Sequence, residues 1–361
     1  LRICYLADAT SIHTRRWAEH FARRGDEVHV ITFRPHPIDD VTVHCFEVQG
    51  YGVAAKLSFF LTEWWPVRKL IWRLRPDVLH AHKVTGYGPF GVLSGYHPFF
   101  VTAWGSDVLV QPQESLIFKF IVRYVLGRAD VVTSMANHMT GRLIELGARE
   151  DRIILLPFGI DPQRFNLGLR EVFRKEEGEG PLIVCTTYLN PVHNVGLLVR
   201  AAPLVLDELP QAQFVIIGSG TQEEELKQLA TELGVADRVL FLGFVEHEQV
   251  PRYLACCDVF ASPALSHGNN IALNEAMACG AFPVTTDIPA NREWIEDGQN
   301  GYLVPVDAPA LFAQRIVAAI RSPELWRRAQ ELNQEIVHRR AVWHKNIERM
   351  EAVYAQLAQG G

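Results

Sequence analysis

The stretch Ser262-Pro-Ala-Leu-Ser-His-Gly-Asn-Asn-Ile-Ala-Leu-Asn-Glu-Ala-Met-Ala-Cys-Gly280 gathers residue types that bind anions and hydroxyl groups. A strand is expected to end at Ser262 and a helix to begin at Asn269 or Asn270, either of which is a good N-cap. An open helix N-terminus offers unpaired amides and the positive end of a dipole, which suits a diphosphate. Glu275 falls inside the apolar stretch Ile271 to Ala278, and a carboxylate so placed needs a partner. Two readings stand side by side: an ion pair with an arginine such as Arg292, or a clamp on ligand hydroxyls. A second cluster follows the first strand, in Asp8-Ala-Thr-Ser-Ile-His-Thr-Arg-Arg-Trp17. Ser11, His13, Arg15 and Arg16 bring hydrogen-bonding groups and positive charge to that strand's carboxyl end. The arginines suit bidentate contacts to phosphate if the loop faces a ligand; otherwise they solvate a helix face. His80 and His82 are expected on opposite faces of their strand, one lining a cleft and one satisfied in the core, which argues against a shared metal. The six cysteines, at 4, 45, 185, 256, 257 and 279, include no Cys-x-x-Cys pair and read as buried, reduced thiols. No metal site is expected from them.

These groups need a framework, and the chain's size and rhythm supply one. Its 361 residues predict two globular domains. Strand patterns at Leu1 to Leu6, Glu27 to Thr32, Pro76 to His82, Phe99 to Ala103 and Ala129 to Ser134 alternate with amphipathic helices such as Trp17 to Arg24. The second half repeats the rhythm at Pro181 to Cys185, Ala212 to Gly218, Val239 to Gly243, Asp258 to Ser262 and Phe282 to Thr286. Such alternation predicts doubly wound parallel α/β sheets, with ligands at the carboxyl ends of the strands. Residues 166–180 lack apolar periodicity and read as a linker between domains at 1–165 and 181–335. The tail from about Leu325 to Leu357 reads as one long helical pattern, with 336–361 expected to pack back on the first domain. With 35 basic against 41 acidic residues the net charge is −6, which argues against duplex binding and leaves no nucleic-acid partner expected. No apolar run is long enough to span a bilayer, and the first residues read as a strand rather than a leader, so a cytoplasmic location is expected.

The chain resembles the family-4 glycosyltransferases of GT-B architecture along essentially its whole length. The resemblance rests on Asn274-Glu-Ala-Met-Ala-Cys-Gly280 with Phe282-Pro-Val284, on Asn291-Arg-Glu-Trp-Ile295, and on Asp297-Gly-Gln-Asn-Gly-Tyr-Leu-Val-Pro305. Pro157-Phe-Gly-Ile-Asp161 and the glycine turn Val215-Ile-Ile-Gly-Ser-Gly220 add to it. It implies two Rossmann-like domains facing across a cleft, and transfer of a sugar from a nucleotide-sugar to an acceptor hydroxyl with retained configuration and neither cofactor nor essential metal. Glu275 would hold the donor's ribose hydroxyls, the loop of Gly268, Asn269, Asn270 and Ile271 would meet its sugar and diphosphate, and Gly243, Phe244 and Val245 would line the base. Thr187, His193, Asn194 and Gly218 would complete the donor site. The pattern also places a Glu eight residues ahead of Glu275, where this chain has His267, and an Arg and a Lys near Thr187 and His193. Neither cation is present, and protonated His193 and His267 are the expected partial substitutes.

The same resemblance sets Ser11, His13, Arg15, Arg16, His82 and Trp104 on the phosphate or acceptor side. Trp104 stands where many members have a histidine, so Asp107, beside it, becomes the titratable group able to orient an acceptor or balance an oxocarbenium-like charge, unless it caps the next turn. His267 shares the catalytic position with it. In Lys56 to Arg75, aromatics beside cations read first as a domain helix with its aromatics in the core, and second as a peripheral membrane contact at the inner face of the membrane. The expected partners are a nucleotide-sugar donor and a sugar, lipid-linked or small-molecule acceptor, with no oligomeric state assigned. The rival class is a non-catalytic nucleotide-sugar-binding or scaffold protein of the same fold; the 2-epimerases that share the architecture match the Glu275 block less well.

Overall fold

A computed structural model describes residues 1–47, 52–173 and 180–358; the side chains of 52–57 and 59 lie outside that description. Contacts divide the chain into two compact units, Leu1–Leu156 with the residues from Ile347 onward, and Pro157–Asn346. The first unit holds seven strands, β1 (Arg2–Leu6), β2 (Glu27–Thr32), β3 (Thr42–Cys45), β4 (Val78–His82), β5 (Phe99–Thr102), β6 (Val131–Ser134) and β7 (Ile153–Leu155), in the order β3-β2-β1-β4-β5-β6-β7. The second holds β8 (Leu182–Thr186), β9 (Gln213–Ile217), β10 (Val239–Gly243), β11 (Val259–Ser262), β12 (Phe282–Thr286) and β13 (Tyr302–Val304), ordered β10-β9-β8-β11-β12-β13. Neighbours pair in parallel throughout. Each unit is thus a Rossmann-like doubly wound domain, and loops leaving the carboxyl ends of its strands are the places for ligand chemistry.

The strands that the sequence reading did not anticipate are β3, β7 and β13, and all three are sheet edges. They are also short, four, three and three residues against five in the central strand β4, and an edge strand is paired on one side only. The helix Gly52–Leu74 buries Val67, Leu70 and Ile71 but leaves Leu61, Trp65 and Trp72 exposed, so Trp65 and Trp72 are not the core aromatics expected from the sequence. Of the cysteines, Cys45 is exposed, at the end of the edge strand β3, whereas the other five are buried; all six are free.

The unit boundary falls at Leu156/Pro157, ahead of the expected linker. Within that linker, Gly168–Phe173 is helical, and Arg170 reaches Asp258 at 2.9 Å and the Cys257 carbonyl at 2.6 Å, which fastens it to the second unit. Residues 174–179 lie outside the described residues. The C-terminal pattern is two helices, Pro323–Arg340 and Trp343–Ala358. At the break Ile160 donates to Ala341 and accepts from Trp343. Gly159 (φ 75°) lies against that backbone, and a Cβ there would sit 2.8 Å from the Trp343 nitrogen, so glycine is required. Beyond the break Tyr354 is buried in the first unit, its ring 5.1 Å from those of Phe21 and Phe100 and its hydroxyl bonded to His80 Nδ1.

Candidate donor site and acceptor-side loops

In the second unit, loops after β10, β9, β8 and β11 leave neighbouring strand ends. They are joined to each other by the main chain: Thr187 donates to Ile217, Leu189 to Ser219, Gly218 to Gly243 and Leu265 to Val192. A Cβ on Gly218 (φ 134°) would fall 1.9 Å from the Thr187 carbonyl oxygen, so this glycine is fixed by the close packing of two loops, whatever ligand they meet. Asn194 Nδ2 donates to the carbonyls of Pro263 (3.2 Å) and Val306 (2.9 Å); its side chain braces the site rather than facing a ligand. Gly243 (φ 68°) has open space where a side chain would go, Phe244 next to it is largely exposed, and Val245 packs on the core.

The helix after β11 is Ile271–Ala278, capped by Asn270, whose side-chain oxygen accepts from Leu273 at 3.2 Å. The same side chain donates to Ser262 Oγ (3.0 Å) and Asn291 Oδ1 (2.9 Å), and Asn291 donates to the Thr286 carbonyl, so the cap is held by a buried network reaching β11 and β12. On either side of it, Asn269 and Asn274 keep both side-chain polar atoms buried with no partner among the described residues. Such atoms call for a polar ligand or water.

Glu275 is 7% exposed and bonds through Oε1 to His247 Nε2 at 2.9 Å. Arg292, the partner considered from sequence, instead forks onto Asp287 on the surface, at 2.5 and 2.9 Å. His247 comes from the loop after β10, its ring 5.4 Å from that of Phe165, and its second ring nitrogen is buried with no partner among the described residues. Nothing in the sequence pattern links positions 247 and 275; the sheet order brings them together.

In the first unit, Ser11 precedes the Ile12–Arg23 helix after β1, and Thr14 on its first turn is 3.5 Å from His82 Nδ1. His82 is in the core, its ring 5.4 Å from Tyr5, 5.4 Å from Trp17 and 4.9 Å from His80. The two histidines therefore share a face, contrary to expectation, because residues two apart in a strand point the same way. The Trp104 ring lies 5.8 Å from that of His82 and meets that of His13 edge-on at 5.6 Å, and burial holds His82 neutral, its pKa lowered to about 3. Arg15 is half-buried, and among the described residues it has no acidic partner and its Nε no hydrogen-bond acceptor. Asp107 departs from its expected catalytic place: it is fully buried and accepts the backbone N–H groups of Val84 (2.7 Å), Gly105 (2.9 Å) and Trp104 (3.0 Å). Burial raises its pKa while those amides oppose the shift. It organises the Trp104 loop and touches no surface from which an acceptor could arrive.

Two family models cover these units, "Glycosyl transferase 4-like" over residues 2–136 and "Glycosyl transferases group 1" over residues 180–322. The chain belongs to the family-4 glycosyltransferases. It is 30% identical over 194 residues to a GDP-mannose-dependent alpha-(1-6)-phosphatidylinositol monomannoside mannosyltransferase of Mycolicibacterium smegmatis, spanning 51% of each chain. It is 25% identical over 350 residues to the N-acetyl-alpha-D-glucosaminyl L-malate synthase of Bacillus anthracis, covering 93% of this chain and 91% of that one. Among solved structures, Anabaena HepE in complex with UDP and glucose superposes with a TM-score of 0.82 at 19% identity, over 99% of this chain and 100% of that one. A sucrose-phosphate synthase from Thermosynechococcus elongatus gives 0.85 at 18%, over the whole of both chains. The fold class is GT-B.

For this family-4 glycosyltransferase the notable feature of the strand-end loops is their charge. None of Thr187 to Asn194, Gly218 to Gly220, Gly243 to His247 or Ser262 to Asn270 contains a lysine or arginine. The expected substitution by protonated histidines does not hold in the free protein. The rings of His193 and His267 lie 5.7 Å apart, burial depresses both pKa values, and that of His267 falls to about 3. His193 Nδ1 meets Thr187 Oγ1 at 2.9 Å. At neutral pH both rings are thus neutral. Among the described residues no group of three His, Cys, Asp or Glu is arranged to hold a metal ion, and no helix is long and apolar enough to cross a membrane.

The depressed histidines set an acid limit on stability. An unfolded imidazole takes up its proton near pH 6.5, whereas His82 and His267 in the folded chain do so only at about 3. Protons therefore favour the unfolded state across that window: stability is full above about pH 6.5 and falls as pH drops toward 3. Melting temperatures measured from neutral pH downward are expected to fall progressively, and His267→Gln to make the decline shallower.

Proposed function

We propose that the protein transfers a sugar from a nucleotide-sugar to an acceptor hydroxyl, with retention of anomeric configuration and no essential divalent metal, in cytoplasmic assembly of a cell-envelope polysaccharide, glycolipid or natural product. The observation that carries this reading is the buried Glu275 carboxylate at the strand ends, hydrogen-bonded to His247 and lying on the helix whose N-cap adjoins the unpartnered Asn269 amide. A carboxylate there suits vicinal ribose hydroxyls, and amides with neutral N–H and O–H donors suit a departing diphosphate. The GDP-mannose in a relative's name and the UDP bound in a solved neighbour support a nucleoside diphosphate leaving group. Arg15, without an acidic partner, is the first unit's candidate for an anionic substrate group.

The absence of cations from the strand-end loops favours a second reading, a nucleotide-sugar-binding scaffold without turnover. Calorimetry with a panel of nucleotides and nucleotide-sugars, followed by a product assay, separates the two: transfer or donor hydrolysis establishes the enzyme, and binding without either establishes the scaffold. Arg15→Ala is expected to weaken donor or acceptor affinity about tenfold, the worth of one charged hydrogen bond. Unchanged affinity for both would remove Arg15 from the site.

A further inference from the structure

The strand-end loops of the second unit hold no lysine or arginine, yet two of them bring imidazoles together. His193 comes from the loop after β8 and His267 from the loop after β11, and their rings lie 5.7 Å apart. The main chain fixes that approach: Leu265, two residues from His267, donates to the carbonyl of Val192, next to His193, at 2.8 Å. On the other side of His193, Asn194 is tied to the Pro263 and Val306 carbonyls. Both rings are half-buried, and His193 Nδ1 is already engaged by Thr187 Oγ1 at 2.9 Å.

Few other groups act on the charge of this pair. Tyr188 lies 6.2 Å from the His193 ring, and the loop after β9 adds only Gly218, Ser219 and Gly220. Beyond that loop Glu223 and Glu224 are bonded to Lys227 at 2.8 and 3.2 Å, and Glu225 accepts from Gln222. Asp287, after β12, is forked by Arg292, Asp307, after Val306, is exposed, and Glu275 is bonded to His247. Burial alone sets the titration of His193, and it depresses His267 further. In the free protein both rings are therefore neutral.

A nucleotide-sugar brings two fixed negative charges on its diphosphate. At a few ångströms, in a partly desolvated loop, each such charge favours an imidazolium by about 100-fold or more. Two imidazoliums 5.7 Å apart repel each other, so one ring takes the proton, and it is the less depressed one. We propose that binding of the nucleotide-sugar diphosphate carries one proton from solvent onto His193, so that the loops acquire on binding the positive charge their sequence lacks. Protonated, the ring donates through Nδ1 to Thr187 Oγ1 and through Nε2 to a phosphate oxygen. His267 stays neutral beside it. Protonation and binding then strengthen each other equally, as linkage requires. The departing nucleoside diphosphate carries one more negative charge than the bound diester, so the imidazolium favours its departure as well. This inference rests on the donor reading above.

Titration calorimetry of the full chain with GDP-mannose, UDP-glucose and ADP-glucose tests it, because these diphosphates keep a fixed charge near neutral pH and any proton exchanged belongs to the protein. The enthalpy of the nucleotide-sugar that binds is compared at about pH 7.5 in phosphate and in Tris, whose protonation enthalpies differ widely; the difference should show uptake of about 0.5–1 proton. Affinity should rise about tenfold or more from about pH 8.5 to about pH 6.5. His193→Gln should abolish the uptake and flatten that profile, weakening affinity about tenfold at the acid end and little at the alkaline end, whereas His193→Lys should hold affinity near its acid-end value throughout. Equal enthalpies in the two buffers overturn the proposal and leave the donor reading intact. An affinity loss in His193→Gln that is the same at every pH also overturns it, since a merely structural ring would behave so. Uptake that survives in His193→Gln and vanishes in His267→Gln overturns the assignment to His193. Binding of none of the three nucleotide-sugars ends the donor reading and this inference with it.

Discussion

Glu275→Gln is expected to lower nucleotide affinity, and kcat/KM for the donor, about 100-fold. A hydrogen bond to a charged group contributes about 1.5–3 kcal/mol, and a 100-fold loss is about 2.8 kcal/mol, the worth of one such bond to a ribose hydroxyl while the amide oxygen still accepts from the other. The substitution keeps the size of the side chain and its acceptor toward His247, so the fold should persist, and a melting temperature near that of the wild type is part of the expected result. His247→Ala leaves the carboxylate in place without the contact at 2.9 Å that orients it. Its expected effect is a rise in donor KM of about fivefold with kcat nearly unchanged, since a positioning residue acts on binding through Glu275. Titration calorimetry with the preferred nucleotide reads both, and equal affinity in wild type and Glu275→Gln would reduce Glu275 to a helix-packing residue.

Asp107→Ala is expected to destabilise the protein by about 3–5 kcal/mol, because three backbone N–H groups around a fully buried carboxylate lose their acceptor at once. A loss of that size lowers Tm by about 10 °C. Asp107→Asn retains one side-chain oxygen for those amides and should fall between wild type and Ala. The informative comparison is activity per folded molecule at low temperature. A carboxylate that acted on the acceptor would lower kcat by orders of magnitude in the Asn variant, whereas the geometry calls for a change within about tenfold, arising from displacement of the Trp104 loop.

These two carboxylates show what kind of information each level carries. Both stand out in the sequence as acidic groups, Asp107 in the loop after a strand and Glu275 within an apolar helical stretch. Only the structure separates them: Asp107 is filled by main-chain donors from its own loop and from Val84, while Glu275 has one imidazole contact and a helix N-cap nearby. The same holds for the cations. Sequence shows that the strand-end loops lack lysine and arginine, but burial, a property of the packed state, decides that in the free protein His193 and His267 are neutral and leave that lack uncorrected.

By itself the sequence determined the two parallel α/β units, the central strands and the helix around Glu275, with its cap narrowed to Asn269 or Asn270, since each depends on local periodicity or on a capping residue within a few positions. The tertiary structure decided the rest. The edge strands β3, β7 and β13 are only three or four residues long, too short to show a period. The break at Ala341 depends on a main-chain contact with Ile160, and the burial of both His80 and His82 on the central place of their strand in the sheet. His247 meets Glu275 from 28 positions away. Side chains so distant along the chain meet only because parallel pairing sets β10, β9, β8 and β11 side by side, and no local pattern encodes which loops that order makes neighbours.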